Sequence, residues 1–307
     1  FRAPELTAAA ETTLPAYVKW NAPGVALTYV TPRQPGANMV ANILHRRMRS
    51  RLRFDIGAVY DVDFDYDRIS DEMAHVALTT EADERQTKRV QALMLEIVDE
   101  LAADGPTPEE LAYEVTAVRR SWEHDDAQLG FVFESAFDTL LGDALRDPEE
   151  FIRQREAVTP DVARELMRPA LDSLMAFGEA DNPAPDRLTQ VPEWSTETVS
   201  GDTYAPAGFH LPGRGPKARL IVGDEGVTLR LSPTERVTVR YADMIAAVHA
   251  GDTRRLHGPD AVQIMIDAVE WRDGARIIER IDAATPAHAF VCTGHAEGGL
   301  EDPEGRT

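Results

Sequence analysis

The sequence predicts an α/β fold, with helices packed on one face of a mixed sheet, followed by a small β-rich domain. Apolar residues at helical spacing alternate with short strand-like runs up to about residue 180, and short strands return after residue 217. The stretch between them is rich in proline and lacks periodic apolar spacing. We therefore place an α/β domain at 1–180, a linker or docked arm at 181–216, and a β-rich domain with a C-terminal helix at 217–307.

The α/β domain is predicted from a strand, a helix, two further strands, a block of helices and a final strand. The first helix carries Met39, Ile43, Leu44 and Met48 on its inward face. The predicted strands are 25–30, 58–65, 75–80 and 173–178, and the predicted helices are 37–53, 84–103, 131–145, 148–157 and 160–171.

One further helix start is predicted in detail. Gly105-Pro106 ends the helix over 84–103, and Thr107 follows as the N-cap of the next helix. Pro108 takes the first turn and Glu110 stands at the capping-box position.

The β-rich domain is predicted from short strands separated by Gly, Pro and Asp turns. Residues 271–283 have the pattern of an amphipathic helix, with Ile277, Ile278 and Ile281 on its apolar side. Through residues 237–243 and this helix, the domain loosely resembles small pleckstrin-homology-like bacterial domains. The predicted strands are 220–222, 227–231 and 237–241.

Charge and hydropathy argue against two classes of partner. The chain has a formal net charge of -21, so its field repels nucleic acid and anionic membranes, although solubility is the simpler role of such a charge. No stretch approaches the roughly 20 apolar residues of a membrane span. We expect neither nucleic acid nor a membrane as a partner.

The single cysteine, Cys292, excludes an internal disulfide framework and is consistent with a reducing cytoplasm, where we expect the protein. It ends the apolar run 289–291, which has the pattern of a buried strand. We therefore interpret Cys292 as an inert core thiol rather than a nucleophile.

Histidine spacing decides the metal question. An HxxEH or HExxH helix needs two imidazoles four residues apart on one face. No pair among the eight histidines has that spacing, so we expect no metal site in this chain and no zinc hydrolase activity from it alone. The eight histidines are residues 45, 75, 124, 210, 249, 257, 288 and 295.

Three motifs carry a family resemblance. Ser-Arg-Leu-Arg at 50–53 is followed by Gly57 and, seven residues after Arg53, by Tyr60. Gly-Pro-Thr-Pro-Glu-Glu-Leu occupies 105–111 and Val-Thr-Pro-Asp-Val occupies 158–162. In order and spacing they resemble the second homologous half of insulinase-like metallopeptidases, the pitrilysin and mitochondrial processing peptidase type of inverzincin.

The likeness covers about residues 20–180 and has departures. Phe54 stands where the family has an acidic residue, and Ala58-Val59 stands where it has Leu-Ala. In the third motif the Asp and the Val come one place early. These departures concern fine substrate geometry.

The resemblance implies an insulinase-like α/β roll and a heterodimer in which two homologous halves close like a clam. One half supplies zinc and the other supplies an Arg and a Tyr, here Arg53 and Tyr60, to the same cleft. This chain is then the non-zinc, substrate-binding and oxyanion-stabilising subunit, with zinc in its partner and a peptide, such as a precursor's leader peptide, as substrate.

The chemistry suits these two side chains. When zinc-bound water attacks a peptide carbonyl, negative charge grows on the carbonyl oxygen, and a guanidinium and a phenol hydroxyl can donate to it. The structural alternative makes Arg53 a charge that complements a helix dipole and Tyr60 an ordinary strand aromatic.

Two rival functions stay open. The chain can be a non-catalytic scaffold or adaptor that keeps the peptidase fold, or it can be one part of a self-contained enzyme whose zinc-bearing half lies upstream of Phe1.

An acidic series begins directly after Tyr60. Its members fit positions 1, 3, 5, 7 and 12 of a calcium-binding loop, but Tyr66 stands where that loop needs Gly, so a solvated acidic strand face is favoured. Such a face would lie just beyond the cleft and favour basic substrate segments. The series is Asp61, Asp63, Asp65, Asp67 and Glu72.

A basic run precedes it, with five arginines in residues 46–53. Apolar residues at helical spacing leave most of these arginines on an outer face. A solvated face or a dock for an acidic peptide is favoured over nucleic-acid binding, because interleaved aromatic residues are lacking and the chain is acidic.

Overall fold

The computed structural model describes residues 12–20, 23–140, 142, 147–179, 182–208, 217–259 and 262–292. Contacts divide the chain into two compact units, with a boundary between Val191 and Pro192. The described residues of the predicted arm contribute to both units, because one short strand lies on each side of this boundary.

The first unit contains six strands and six α-helices among its described residues. They are β1 (Ala16–Trp20), β2 (Val25–Pro32), α1 (Pro35–Arg49), β3 (Asp63–Arg68), β4 (Met73–Thr80), α2 (Thr87–Asp104), α3 (Pro108–Ser121), α4 (Asp125–Leu140), α5 (Pro148–Glu156), α6 (Pro160–Asp172), β5 (Met175–Glu179) and β6 (Thr189–Gln190).

The strands form one mixed sheet in the order β3-β4-β2-β5-β1-β6. β2 is antiparallel to β4 and β5, whereas β1 is parallel to β5 and β6. One face of this sheet is buried, since Val76 and Leu78 of β4 join the same core as Met94 of α2 and Met167 of α6. The predicted α/β class, with helices on one face of a mixed sheet, is confirmed.

The first helix ends earlier than predicted and continues in another form. α1 ends at Arg49, and Ser50–Asp55 form a π-helix in which the N–H of Ile56 donates to the carbonyl of Arg51 at 3.2 Å. Its predicted inward residues Met39, Ile43, Leu44 and Met48 are all fully buried, as is Leu52.

The second predicted strand, 58–65, is wrong at its start. β3 begins at Asp63, which pairs with Thr79, and β4 ends one residue later at Thr80. Beyond this pair β4 has only Thr80 left, and no β4 residue remains to pair with residues 58–61, so the ladder stops there. Tyr60, predicted on a strand, lies in the loop before β3.

The predicted capping box at the start of α3 is confirmed. The N–H of Glu110 donates to Thr107 Oγ1 at 3.2 Å, and the N–H of Thr107 donates to Glu110 Oε2 at 2.8 Å. Glu110 also accepts two hydrogen bonds of 2.7 Å from Arg47, so the cap ties α3 to α1.

The arginines of the basic run do not form the predicted solvated outer face. Acidic side chains from other elements approach each of them, so most of the positive charge is neutralised within the unit. The contacts are Arg46 to Glu114 (2.7 Å), Arg47 to Glu110 (2.7 Å), Arg49 to Asp61 (2.8 Å), Arg51 to Glu96 (2.8 Å) and Glu100 (2.6 Å), and Arg53 to Asp61 (3.6 Å).

α4 turns its apolar side to solvent. Its buried residues are Ser135 and Asp138, because Asp138 Oδ1 accepts hydrogen bonds from Arg33 (2.7 Å) and Arg68 (3.3 Å) on the inner side. The outward residues recur at helical spacing and are between 58% and 81% exposed. This α4 stripe consists of Leu129, Val132, Phe133, Phe137 and Leu140.

The second unit has two four-stranded sheets and one α-helix in the part that the structure describes. Their orders are β10-β9-β8-β7 and β13-β12-β11-β14. The elements are β7 (Asp202–Tyr204), β8 (Arg219–Val222), β9 (Gly226–Arg230), β10 (Arg236–Arg240), β11 (Ala246–Ala250), β12 (Thr253–His257), β13 (Gln263–Asp267), α7 (Gly274–Ala284) and β14 (Phe290–Cys292).

The predicted apolar side of α7 is confirmed, because Ile277, Ile278 and Ile281 are buried. The helix begins at Gly274 rather than at residue 271, since Asp273 has a φ of 60° and cannot continue a helix backward.

The last predicted strand exists as β14, parallel to β11, but it is not buried. Phe290 and Val291 are 44% and 43% exposed, so the predicted buried run is wrong in that respect. The side chain of Cys292 lies outside the described part of the structure. Among the described residues, no helix combines the length and apolar character needed to cross a bilayer.

Replacing Glu110 by Gln tests the tie between α1 and α3. The amide keeps the size of the side chain but removes the ion pair with Arg47, and hydrogen bonds to charged groups contribute about 1.5–3 kcal/mol. We expect the free energy of unfolding of the first unit, from urea titration at pH 7, to fall by about this amount. Glu109→Gln, in the same turn but exposed, is the control and should change it little.

The pH dependence of this difference has a definite sign. Burial opposes ionisation of Glu110, but hydrogen bonds from Arg47 and from the Thr107 N–H outweigh it and lower the pKa of Glu110. The stabilisation that a lowered pKa provides is fully present above the pKa of the unfolded state, about 4.3. It is lost as the pH falls through the lower pKa of the folded state. The difference between wild type and Glu110→Gln should shrink below about pH 4. A constant difference down to the lowest pH at which the unit stays folded would contradict this.

Candidate functional site

The structure brings Arg53 and Tyr60 together. Cζ of Arg53 lies 5.1 Å from the centroid of the Tyr60 ring and 5.2 Å from the centroid of the Phe54 ring. The guanidinium therefore contacts two aromatic rings at cation-π distance, one on the same π-helix and one on the following loop.

All three side chains face solvent rather than the core. Tyr60 is 85% exposed and Phe54 is 68% exposed, while 30% of the Arg53 side chain is accessible. Among the described residues, no group hydrogen-bonds to the Tyr60 hydroxyl. The phenol and the guanidinium can therefore both reach a molecule that binds on this surface.

The π-helix and the turn after it set this arrangement. Leu52 is fully buried and anchors the π-helix, and its carbonyl accepts the N–H of Ala58 at 2.9 Å. Gly57 adopts a φ of 58° and reverses the chain between Arg53 and Tyr60, a conformation that other residues seldom adopt. Short π-helical segments are frequent at functional sites.

Asp61 positions Arg53 and was not recognised from the sequence as part of this site. One of its carboxylate oxygens accepts hydrogen bonds from Arg49 Nε at 2.8 Å and from the N–H of Val62 at 2.9 Å. The other oxygen lies 3.6 Å from Arg53 Nη1. The Val62 N–H, followed by Arg49 and Arg53, lowers the pKa of Asp61. A carboxylate next to Tyr60 was visible in the sequence, but the turn that aims it at Arg53 was not.

The acidic series after the site is a strand face and not a calcium-binding loop. Asp63, Asp65 and Asp67 lie on β3 and are exposed, whereas Phe64 and Tyr66 alternate with them and are half-buried. A calcium-binding loop needs a sharp turn at its sixth position, but this backbone is extended and paired with β4. Within the described part of the chain, no three His, Cys, Asp or Glu side chains are grouped so as to hold a metal ion.

Two clefts of the first unit are lined by other residues. The larger, of about 600 Å³, lies between the start of α1, the end of β3, and helices α4 and α5. The smaller, of about 410 Å³, is lined by residues of the π-helix and α2, including Arg51 and Glu96. Arg53 and Tyr60 line neither of these two clefts, and their side chains are open to solvent on the surface of the first unit.

Fold and site together define an α/β protein of two units that presents an Arg–Tyr pair to solvent. No protein-family model matches the sequence, and the comparison with curated proteins gives no match.

Several solved structures are similar to the chain. The first half of the periplasmic protease PqqL from Escherichia coli is 14% identical with a TM-score of 0.46, over 58% of this chain and 44% of that one. The whole PqqL is 15% identical with a TM-score of 0.46, over 81% and 31%. The inactive domain of an M16 peptidase from Pseudomonas fluorescens is 15% identical with a TM-score of 0.45, over 62% and 48%. This chain spans less than half the length of each.

Proposed function

We propose that the chain is the non-zinc, substrate-binding subunit of a heteromeric peptidase, in which Arg53 and Tyr60 stabilise the oxyanion of peptide hydrolysis. The observation that carries this proposal is the contact between the two side chains, with the guanidinium 5.1 Å from a ring that is 85% exposed. The pair spans the seven-residue interval of the insulinase-like motif.

The chemistry follows from the donors. Asp61 approaches one nitrogen of Arg53, which leaves other N–H groups of the guanidinium for a substrate, and the Tyr60 hydroxyl is a second donor. Donors held in place before reaction stabilise developing negative charge without the cost of reorganising solvent. Asp61 and the two rings restrict Arg53 to one region, so they serve this preorganisation.

The nucleophile must come from elsewhere. Zinc bound by the partner subunit would supply an activated water. The residues of this chain would bind the peptide and orient its carbonyl oxygen toward Arg53 and Tyr60. Closure of the partner over this open surface would exclude bulk water and strengthen both hydrogen bonds.

The α4 stripe supports the presence of a partner. Large apolar side chains gathered on one exposed face mark interaction surfaces in soluble proteins. A formal net charge of -21 opposes self-association, so a different chain is favoured over a second copy.

The acidic face of β3 supports a preference for basic peptides. Asp63 and Asp65 are exposed and follow Tyr60 within five residues. A peptide held by the Arg–Tyr pair would pass near these carboxylates, and a lysine or arginine in it would be attracted to them.

An activity assay on a mixture of this chain and a partner subunit tests the proposal. With a purified zinc-carrying homologous subunit, the wild-type chain should cleave a reporter peptide. Arg53→Ala and Tyr60→Phe should each lower kcat by about 100 to 1000 fold with a modest change in KM, because each removes a donor to the oxyanion.

Arg168→Ala is the matched control, since Arg168 is a well-exposed arginine of α6 that pairs with Glu165 in the same helix. Its kcat should equal that of wild type. An unchanged kcat for Arg53→Ala would remove the catalytic role, and a stable complex that cleaves no peptide would favour a scaffold, which the α4 stripe would serve equally well.

Replacing Asp63 and Asp65 by Asn tests the substrate preference. Exposed ion pairs contribute at most about 1 kcal/mol each, so KM for a lysine-rich peptide should rise about two- to tenfold. The difference should vanish in about 1 M salt, where screening is strong. A peptide with Gln in place of Lys is the control and should show no difference. An equal rise in KM for both peptides would contradict the charge preference.

A further inference from the structure

The larger cleft contains a buried cation without an anionic partner. Arg155 of α5 is 5% exposed and lines the cleft. One of its nitrogens donates to Asn38 Oδ1, a neutral oxygen that also accepts from Asn42, and its guanidinium lies 4.8 Å from the centroid of the Phe151 ring. Its Nε is buried and has no hydrogen-bond partner among the described residues.

Nearby carboxylates do not neutralise this charge. Glu114 acts on Arg155 from a distance but forms its 2.7 Å ion pair with Arg46. Burial lowers the pKa of Arg155, and Glu114 offsets this only in part. Buried charges in proteins are normally paired, because an unpaired buried charge is strongly destabilising.

The start of α1 opens into the same cleft. This helix is 15 residues long, its N-cap residue Gln34 makes no side-chain cap, and its first turn has no acidic residue. Gln34 and Pro35 line the cleft together with Arg155. The positive end of a helix dipole and a buried guanidinium therefore border one space, and both favour a negative group there.

The rest of the lining divides into an apolar and a charged part. Phe137, from the α4 stripe, and Phe151 provide aromatic surface. Asp138 accepts hydrogen bonds from both Arg33 and Arg68, while the exposed carboxylates of Asp67 and Glu134 also line the cleft. A small inorganic anion would leave the aromatic surface uncovered, whereas an acid with an apolar body would cover it.

We propose that this cleft binds an amphiphilic carboxylate, with its anionic group at Arg155 and the start of α1 and its apolar or aromatic group against Phe137 and Phe151. Two sources share this chemistry: the C-terminal carboxylate of a peptide with an aromatic last residue, and a free aromatic carboxylic acid. The proposal is independent of the site formed by Arg53 and Tyr60.

Calorimetric titration of the full chain tests it with four probes. They are N-acetyl-phenylalanine, its amide, a five-residue peptide ending in phenylalanine, and the same peptide amidated. Both free carboxylates should bind saturably and both amides about tenfold or more weakly, since a hydrogen-bonded charge pair is lost. Much tighter binding of the peptide identifies a peptide terminus as the ligand, and equal affinities identify the free acid.

Four variants complete the test. Arg155→Met removes the charge and should weaken carboxylate binding about tenfold or more, whereas Arg153→Met, an exposed arginine of the same helix, should leave it unchanged. Phe137→Ala should weaken binding several-fold. Because Phe137 is 61% exposed, this variant should fold, and it provides the test if Arg155→Met does not fold. Arg53→Ala should leave the binding constant unchanged. Absence of saturable binding to wild type, equal binding of acid and amide, or undiminished binding by Arg155→Met or Phe137→Ala would overturn the proposal.

Discussion

The packing of α1 in the core of the first unit sets the position of the π-helix that carries Arg53 in the proposed site. Met39, Ile43, Met48 and Leu52 are fully buried, and each such side chain contributes about 1.5–3 kcal/mol. Because these residues fix the rotation of α1 and of the π-helix after it, the arginines of both point toward acidic groups on α2, α3 and the loop before β3. The π-helix then continues from an anchored end, so Arg53 begins from a rigid support.

The ion pairs of this helix serve different purposes along its length. Arg47 and Glu110 join α1 to α3 through a capped helix start, which is structural. Asp61 instead holds the side chains of Arg49 and Arg53 at an exposed turn. A carboxylate beside a catalytic cation limits its motion but also shares its charge. The 3.6 Å separation from Arg53, longer than the 2.8 Å to Arg49, suits the proposed role, in which Arg53 also binds a substrate.

Much of the fold was predictable because apolar periodicity and turn chemistry act locally. The capping box at Thr107 and the buried face of α7 follow from residues within one or two turns. The start of β3 at Asp63 could not be predicted, because it depends on where its partner strand β4 ends. Likewise, the motif spacing predicted that Arg53 and Tyr60 act together, but the role of Asp61 and the neutralised arginine run depend on residues distant in sequence. Helix α4 is an exception to the rule that the apolar face of a helix is buried. Its polar side faces inward, because Asp138 accepts hydrogen bonds from Arg33 and Arg68 there.

The binding of a transition-state analogue tests the central claim most directly. A phosphinic peptide carries a tetrahedral anionic group at the position of the scissile carbonyl, so it reports on oxyanion stabilisation without turnover. In the proposed complex with a zinc-carrying partner, Arg53→Ala should weaken binding of the analogue by about 100-fold or more and binding of the matching uncleaved peptide by only a few-fold. Equal weakening of both would mean that Arg53 only holds the peptide, and it would contradict the proposed role.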